Sequence, residues 1–384
     1  MRLCLWCLMI CQAPGLTRFT EAATITVPQG STLTTVSLVS MNGKYVFVAT
    51  VTPVPPAAGT PTGTVQFFDP RPAVGAIGKA NLVNGSGSLP SPYSYFVING
   101  IVPSPGAPVT AVYSGDANFR SSTSAPLLQV TSAAADLEAT FAPDEAISLF
   151  HVIGLSGDTP AQLPLATSLG GVTVTIADGV GSSREAQLYG VFASTGQINL
   201  LIPGDVALGI GSISVTLPGV PTLSTLISIA RTTPSIFTAN RNGQGVYAGQ
   251  VVHVHADGSQ TVDSPAKVDI ETASFIPKPI DLGPATDQVF LVLYGTGIRH
   301  SWGAEVFAFL TRADATFAIG PLPTGPVLFA PQGQFPGLDQ VNIQIPPNLA
   351  GAGTVYIAIN TAIASSRFGE SLLIAANPVT AVFQ

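Results

Sequence analysis

Charge is scarce in this chain: Asp, Glu, Lys and Arg together make up 9% of its 384 residues, against roughly 25% in an average soluble domain. Long surface helices need Glu, Lys and Arg on their outer face, so this shortage argues against a helical fold. The 14 Lys and Arg residues stand against 21 acids, for a net charge of −7. No basic cluster is present to neutralise a phosphate backbone, which argues against nucleic acid as a partner. Cysteine is absent after Cys11, so a disulfide framework has no part in the remainder of the chain. No later segment holds the ~18 uninterrupted apolar residues of a membrane span, and none is expected in the mature chain. Two catalytic signatures are also missing. There is no Gly-x-Ser-x-Gly elbow and no Gly-x-x-x-x-Gly-Lys-Ser/Thr phosphate loop.

What is abundant points the other way. The chain has 39 glycines, 33 prolines and 46% hydrophobic residues, a balance suited to many short strands joined by tight turns. Tyr45 to Val51, Thr64 to Phe68 and Val109 to Tyr113 read as strands separated by turn clusters, the pattern of an all-β sandwich. Residues 136 to 163 are ambiguous, because Pro143 interrupts a helix-like stretch; Ile147 to Ile153 is β-rich and is read as a strand.

The first eleven residues hold all three cysteines, Cys4, Cys7 and Cys11, interleaved with Leu5, Trp6, Leu8, Met9 and Ile10. A structural zinc site wants four ligands on a folded turn. With Arg2 ahead of the apolar run and Ala22-Ala23 behind it, the segment reads instead as a secretory signal over residues 1–23.

A repeat organises the second half. Gln197-Ile-Asn-Leu-Leu-Ile-Pro203 and Gln340-Val-Asn-Ile-Gln-Ile-Pro346 carry Gln, Asn and Pro at the same offsets, each followed by a turn and a second alternating run. Ile198, Leu200 and Ile202 share one face with period two, as do Val341, Ile343 and Ile345, so each copy reads as a half-buried strand. Gln197, Asn199, Gln340 and Asn342 take the opposite face, where their amides are expected to anchor an adjoining loop. Pro203 and Pro346 end the strands, since proline donates no ladder hydrogen bond. The expected organisation is a sandwich at 24–131, a first copy at 132–231, an irregular hairpin-bearing connection at 232–285, and a second copy at 286–384.

Two resemblances extend this reading. Val51-Thr-Pro53, Gly59-Thr-Pro-Thr-Gly-Thr-Val65 with Phe67 and Asp69, and Val112-Tyr-Ser-Gly-Asp-Ala-Asn-Phe119 resemble the bacterial immunoglobulin-like repeat domain of large surface proteins. Leu169 to Val174, the two Gln-x-Asn strands, Pro234-Ser-Ile-Phe237, Gly243-Gln-Gly245, Asp257-Gly-Ser259 and Tyr294-Gly-Thr-Gly297 resemble a C-terminal domain of uncharacterised secreted bacterial proteins, which the chain departs from at Asp263 to Ile280. The resemblance implies an all-β chain of three tandem immunoglobulin-like sandwiches, the last two related by the internal repeat. It implies a secreted or surface location and carries over no catalytic residue; the partner expected alongside it is an extracellular protein or a polysaccharide.

Candidate chemistry is thin, and neither a catalytic constellation nor a cofactor is expected. Gly243-Gln-Gly-Val-Tyr-Ala248 matches a dinucleotide string but precedes a strand pattern rather than a helix. His253 and His255 fall on one strand face with Asp257 next in line, the best candidate metal ligands; the alternative is a solvent-facing strand. Asp69, Asp116 and Asp257 are the candidates for calcium. Asp144 with Glu145 are paired carboxylates that lack an obvious partner. Trp302, with His300 and Arg299, is the candidate platform for stacking on a sugar, since it sets a planar ring beside polar groups. The leading expectation is a non-enzymatic scaffold, with a carbohydrate-binding module and a metal-dependent hydrolase as the alternatives.

Overall fold

The computed structural model describes residues 29–41, 44–70, 75–91, 109–135, 140–301, 306–314, 318–323, 328–329, 334–364 and 371–384. The expected signal at 1–23, the three cysteines and Trp302 lie outside the described residues. Among those described, strands dominate, and the helical content is a single turn at Pro347–Leu349. Among the described residues no helix is long and apolar enough to cross a membrane.

Three separate hydrophobic cores define three β-sandwiches. In the first, a sheet of Thr32–Met41, Lys44–Pro53 and Ser86–Pro90 faces one of Gly75–Asn81, Thr64–Asp69, Thr110–Tyr113 and Ser122–Thr123. Alternating side chains fill the space between: Val36, Leu38, Phe47, Val65, Phe67 and Tyr113 are buried, and the Phe47 and Phe67 rings lie 6.2 Å apart at a tilt of 31°.

In the second sandwich the repeat strand Gln197–Leu201 lies between Ala146–Phe150 and Gln187–Phe192, and Gln129–Ser132 pairs the far side of Ala146–Phe150. The opposite sheet is built around Gly209–Leu217, flanked by Val172–Ala177 and Val220–Ile229, with Thr140–Phe141 joining Val220–Ile229 in parallel. The third sandwich repeats this plan strand by strand. Asp339–Ile345 lies between Gln288–Thr296 and Leu328–Phe329, and Gly249–Val254 takes the place of Gln129–Ser132. Gly353–Ala364 centres the second sheet beside Val306–Arg312 and Val379–Phe383, and Pro279–Ile280 supplies the parallel edge.

The stretch 232–285, expected as an irregular connection, is therefore a working part of the third sandwich. Gly249–Val254 pairs with Gln288–Thr296 over six residue pairs, and Pro279–Ile280 closes the other sheet. The hairpin Ala266–Asp269 with Ser274–Pro277 is inserted between them. The expected boundary after residue 131 also moves. Leu127 belongs to the first core, whereas Leu128 and Val130 belong to the second, because Gln129–Ser132 finds its ladder partner in Ala146–Phe150.

The repeat strands behave as their parity demands. Ile198, Leu200, Ile202, Val341, Ile343 and Ile345 are all buried. On the other face the amides serve one another rather than a loop: Gln197 Nε2 donates to Asn199 Oδ1 at 2.7 Å, and Gln340 Nε2 to Asn342 Oδ1 at 2.9 Å. Side chains two apart on a strand stand side by side, so a Gln-x-Asn pair can close this bond without leaving the sheet.

Neighbouring sandwiches pack against each other. Residues Thr34 to Leu38 are buried on both faces of their strand. Val36 and Leu38 enter the first core, and Ser37 turns to the second sandwich, where its Oγ accepts the Ser224 N–H at 3.0 Å. Leu226, from the second sandwich, completes the first core.

Candidate functional site

The second and third sandwiches meet at a junction rich in buried polar groups. Pro143 and Asp144 make a turn that leads into Ala146–Phe150, with Asp144 in the left-handed region at φ 57°. This turn presents two carboxylates to the third sandwich. The Asp144 Oδ2 lies 3.0 Å from His300 Nε2, and a carboxylate acceptor there requires that nitrogen to carry the hydrogen. Glu145 is 1% exposed. Its Oε2 accepts the Ala142 N–H at 2.7 Å and a short hydrogen bond from the Thr233 hydroxyl. Burial pushes the Glu145 carboxyl up to about 8, against the pull of the Thr233 and Ala142 donors toward the ionised form.

Asp339 faces it from the third sandwich, fully buried at the start of the repeat strand. Its Oδ1 accepts from Arg299 Nε at 2.7 Å, while Oδ2 accepts the Ile298 and Arg299 amides at 2.8 and 3.1 Å. Burial raises this carboxyl as well, opposed by the Arg299 guanidinium. Backbone ties complete the seam. Ala146 N donates to Thr296 Oγ1 at 2.9 Å, and Thr296 Oγ1 donates to Gly337 O at 2.8 Å. The Tyr189 hydroxyl bonds Pro336 O, and the Thr232 and Thr361 hydroxyls lie 2.9 Å apart. Gly297 adopts φ 74°, and a Cβ there would meet Thr233 O at 2.3 Å and Glu145 Cδ at 3.1 Å, so this close approach needs glycine.

Beside the seam, the two sandwiches enclose an open cleft of about 580 Å³. Ala133, Leu165 and Tyr189 line it from one side, and Phe237, Arg241 and Pro336 from the other.

These positions redistribute the residues singled out from the sequence. His300 reaches the second sandwich through Asp144 and Arg299 bonds Asp339 within the third, while Trp302, the ring of the expected sugar platform, lies outside the described residues. Asp144 and Glu145, read as carboxylates without partners, have His300, Thr233 and the Ala142 amide as theirs. His255 Nδ1 lies 2.8 Å from Asp287 Oδ2, and His253 sits on the strand between Thr261 and Val289. Asp257 does not join them: its Oδ1 accepts from Ser259 N and Oγ at 2.9 and 2.6 Å and closes the local turn. Among the described residues no three His, Cys, Asp or Glu side chains converge as a metal site. Asp116 is likewise taken up by the fold: its two oxygens accept from Asn118 N, Phe119 N, and both Thr62 N and Thr62 Oγ1.

Sequence reasoning missed Asp339, although a signal was present. It has the same parity as Val341, Ile343 and Ile345, which puts a carboxylate on the buried face of a strand, where it must find a cation or several donors.

Comparison with known proteins bears on the first sandwich. Residues 20–132 match the family model of the bacterial Ig-like domain (group 3). The match covers the first sandwich and the first strand of the second core; the chain is an all-β array of three β-sandwiches, of which the first lies within that family match. No curated protein matches the chain. Among solved structures, a tetra-tandem repeat from the extending region of a large adhesion protein is 12% identical, covering 92% of this chain and 99% of its own, with a TM-score of 0.18. SGBP-B of a Bacteroides ovatus mixed-linkage glucan utilization locus, in complex with a mixed-linkage heptasaccharide, is 10% identical over 97% of this chain and 69% of its own, with a TM-score of 0.29. At such scores neither likeness carries an argument about arrangement or ligand.

Proposed function

We propose that this protein is a secreted, non-enzymatic surface scaffold in which three immunoglobulin-like sandwiches form a stiff spacer. The observation that carries this reading is the way neighbouring modules are fastened. Inter-domain interfaces within a chain are ordinarily polar and permit relative motion. Here Leu226 of the second sandwich completes the core of the first, and the buried Glu145 carboxyl with the half-buried Asp144 carboxyl binds the second to the third. A strand buried on both faces at one junction and a hydrogen-bonded polar seam at the other resist bending. Chemistry-bearing side chains are spent on this work: Asp144, Asp339, Arg299 and His300 hold the fold together. A stiff array would hold loops at its ends in fixed positions, where an extracellular protein or a polysaccharide would be met.

Stiffness is measurable by distances between paired spin labels. One label goes on Lys79→Cys in the first sandwich and one on Tyr356→Cys in the third, both exposed positions, in a chain with Cys4, Cys7 and Cys11 changed to serine. A single narrow distance distribution is expected. A broad or multi-peaked distribution would defeat the spacer reading.

A further inference from the structure

We infer that the cleft between the second and third sandwiches binds a small amphipathic acid, a carboxylate head on an apolar body. Its volume of about 580 Å³ falls inside the roughly 300–1,000 Å³ typical of small-molecule sites. The walls are apolar and come from both modules, including Ala133, Ala134, Leu165 and Phe237. Leu163 and Phe335, also on the lining, are 50% and 62% exposed. Two large apolar side chains left in water beside an apolar cleft gain by being covered, and the body of a ligand would cover them.

The polar groups at the cleft select the head. Arg241 is the sole charged residue among the lining, carried on an exposed turn at φ 58°. Its guanidinium has no carboxylate partner among the described residues. Asn199 is the second free donor. Its Oδ1 accepts from both Ser148 Oγ at 2.9 Å and Gln197 Nε2 at 2.7 Å, which fixes the amide and leaves Nδ2 without an acceptor among the described residues. This arrangement is particular to one copy of the repeat. Asn342 makes the same bond with Gln340, but Val292 stands opposite it where Ser148 stands opposite Asn199. The lining holds no acid; Arg241 and Asn199 offer donors, and the exposed Gln334 amide offers both a donor and an acceptor, so the single formal charge at the cleft is positive and favours an anionic head, which a guanidinium pairs through two parallel hydrogen bonds. A positively charged head would meet Arg241 and be rejected.

Isothermal titration of the full chain with decanoate, decanol and decyltrimethylammonium tests the site; it is independent of how stiff the array is. Saturable binding of decanoate is expected, at least about tenfold tighter than either of the others, the margin a charge-assisted hydrogen-bond pair supplies. Arg241→Gln, at an exposed position, should remove that margin, and Leu163→Asp on the lining should weaken decanoate by repulsion. Absence of saturable decanoate binding would overturn the inference. So would decanoate binding that is unchanged in both variants, or that is matched by decanol.

Discussion

The two junctions of this molecule solve the same problem with opposite chemistry. Between the first and second sandwiches the contact is neutral, with a serine hydroxyl bonding a strand amide and a leucine inserted into the neighbouring core. Between the second and third it runs through carboxyl groups, with buried Glu145 bonded to Thr233 and Asp144 to His300, while the buried Asp339 with Arg299 stands beside the seam inside the third sandwich. A neutral joint is indifferent to pH and salt. A joint of buried carboxylates is held by donors that must stay in place, since an orphaned charge in a protein interior is far costlier than an orphaned hydroxyl. The first junction should therefore fail gradually and the second abruptly.

The sharpest way to break the comparison is Arg299→Ala. Among the described residues Arg299 is the cation paired with the fully buried Asp339, inside the third sandwich at the edge of the seam, and it also donates to Leu338 O at 2.9 Å. Its removal should cost about 3–5 kcal/mol, the range for breaking a buried pair from one side. Chemical denaturation checks this, and a loss below about 1 kcal/mol would mean that the Ile298 and Arg299 amides alone suffice for Asp339.

Glu145 gives the next effect, and its signature lies in pH. With an ordinary value of 4.5 and a folded value of about 8, the folded chain holds a proton that the unfolded chain releases. The stability so contributed is complete below about 4.5 and is lost as pH rises toward about 8. Glu145→Gln keeps an acceptor for the Ala142 amide and cannot ionise, so it mimics the protonated acid. Thermal unfolding should find the variant and the parent alike near pH 5, and the variant more stable above pH 8. A difference that stays constant over this range would show that Glu145 does not titrate in that window.

The uneven legibility of the chain has the same root as the uneven junctions. The repeat strands could be read because their signal is local: Ile198, Leu200 and Ile202 alternate within one strand, and Pro203 ends it, whatever the rest of the molecule does. Gly249–Val254 could not be assigned to the third sheet, since its partner Gln288–Thr296 lies beyond an inserted hairpin and its other neighbour, Gln260–Asp263, is exposed throughout and carries no alternation. The carboxyl-bearing seam was hidden for a stronger reason. His300 and Asp144 are distant in sequence, and a charged residue in a turn looks the same whether it meets water or another module. Only Asp339, placed by parity among buried aliphatics, announced that it required a partner.

The neutral junction supplies the smallest effect and the control for the other two. Ser37→Ala leaves the Ser224 N–H without its acceptor while Val36, Leu38 and Leu226 keep their packing. The expected loss is about 1 kcal/mol, that of one hydrogen bond, and denaturation midpoints should give the same loss at pH 5 and pH 8.5, because no titrating group bonds this hydroxyl. A loss that grew with pH would tie Ser37 to the carboxyl-bearing seam across the width of the second sandwich, and the two junctions would then have to be treated as one coupled unit rather than as independent joints.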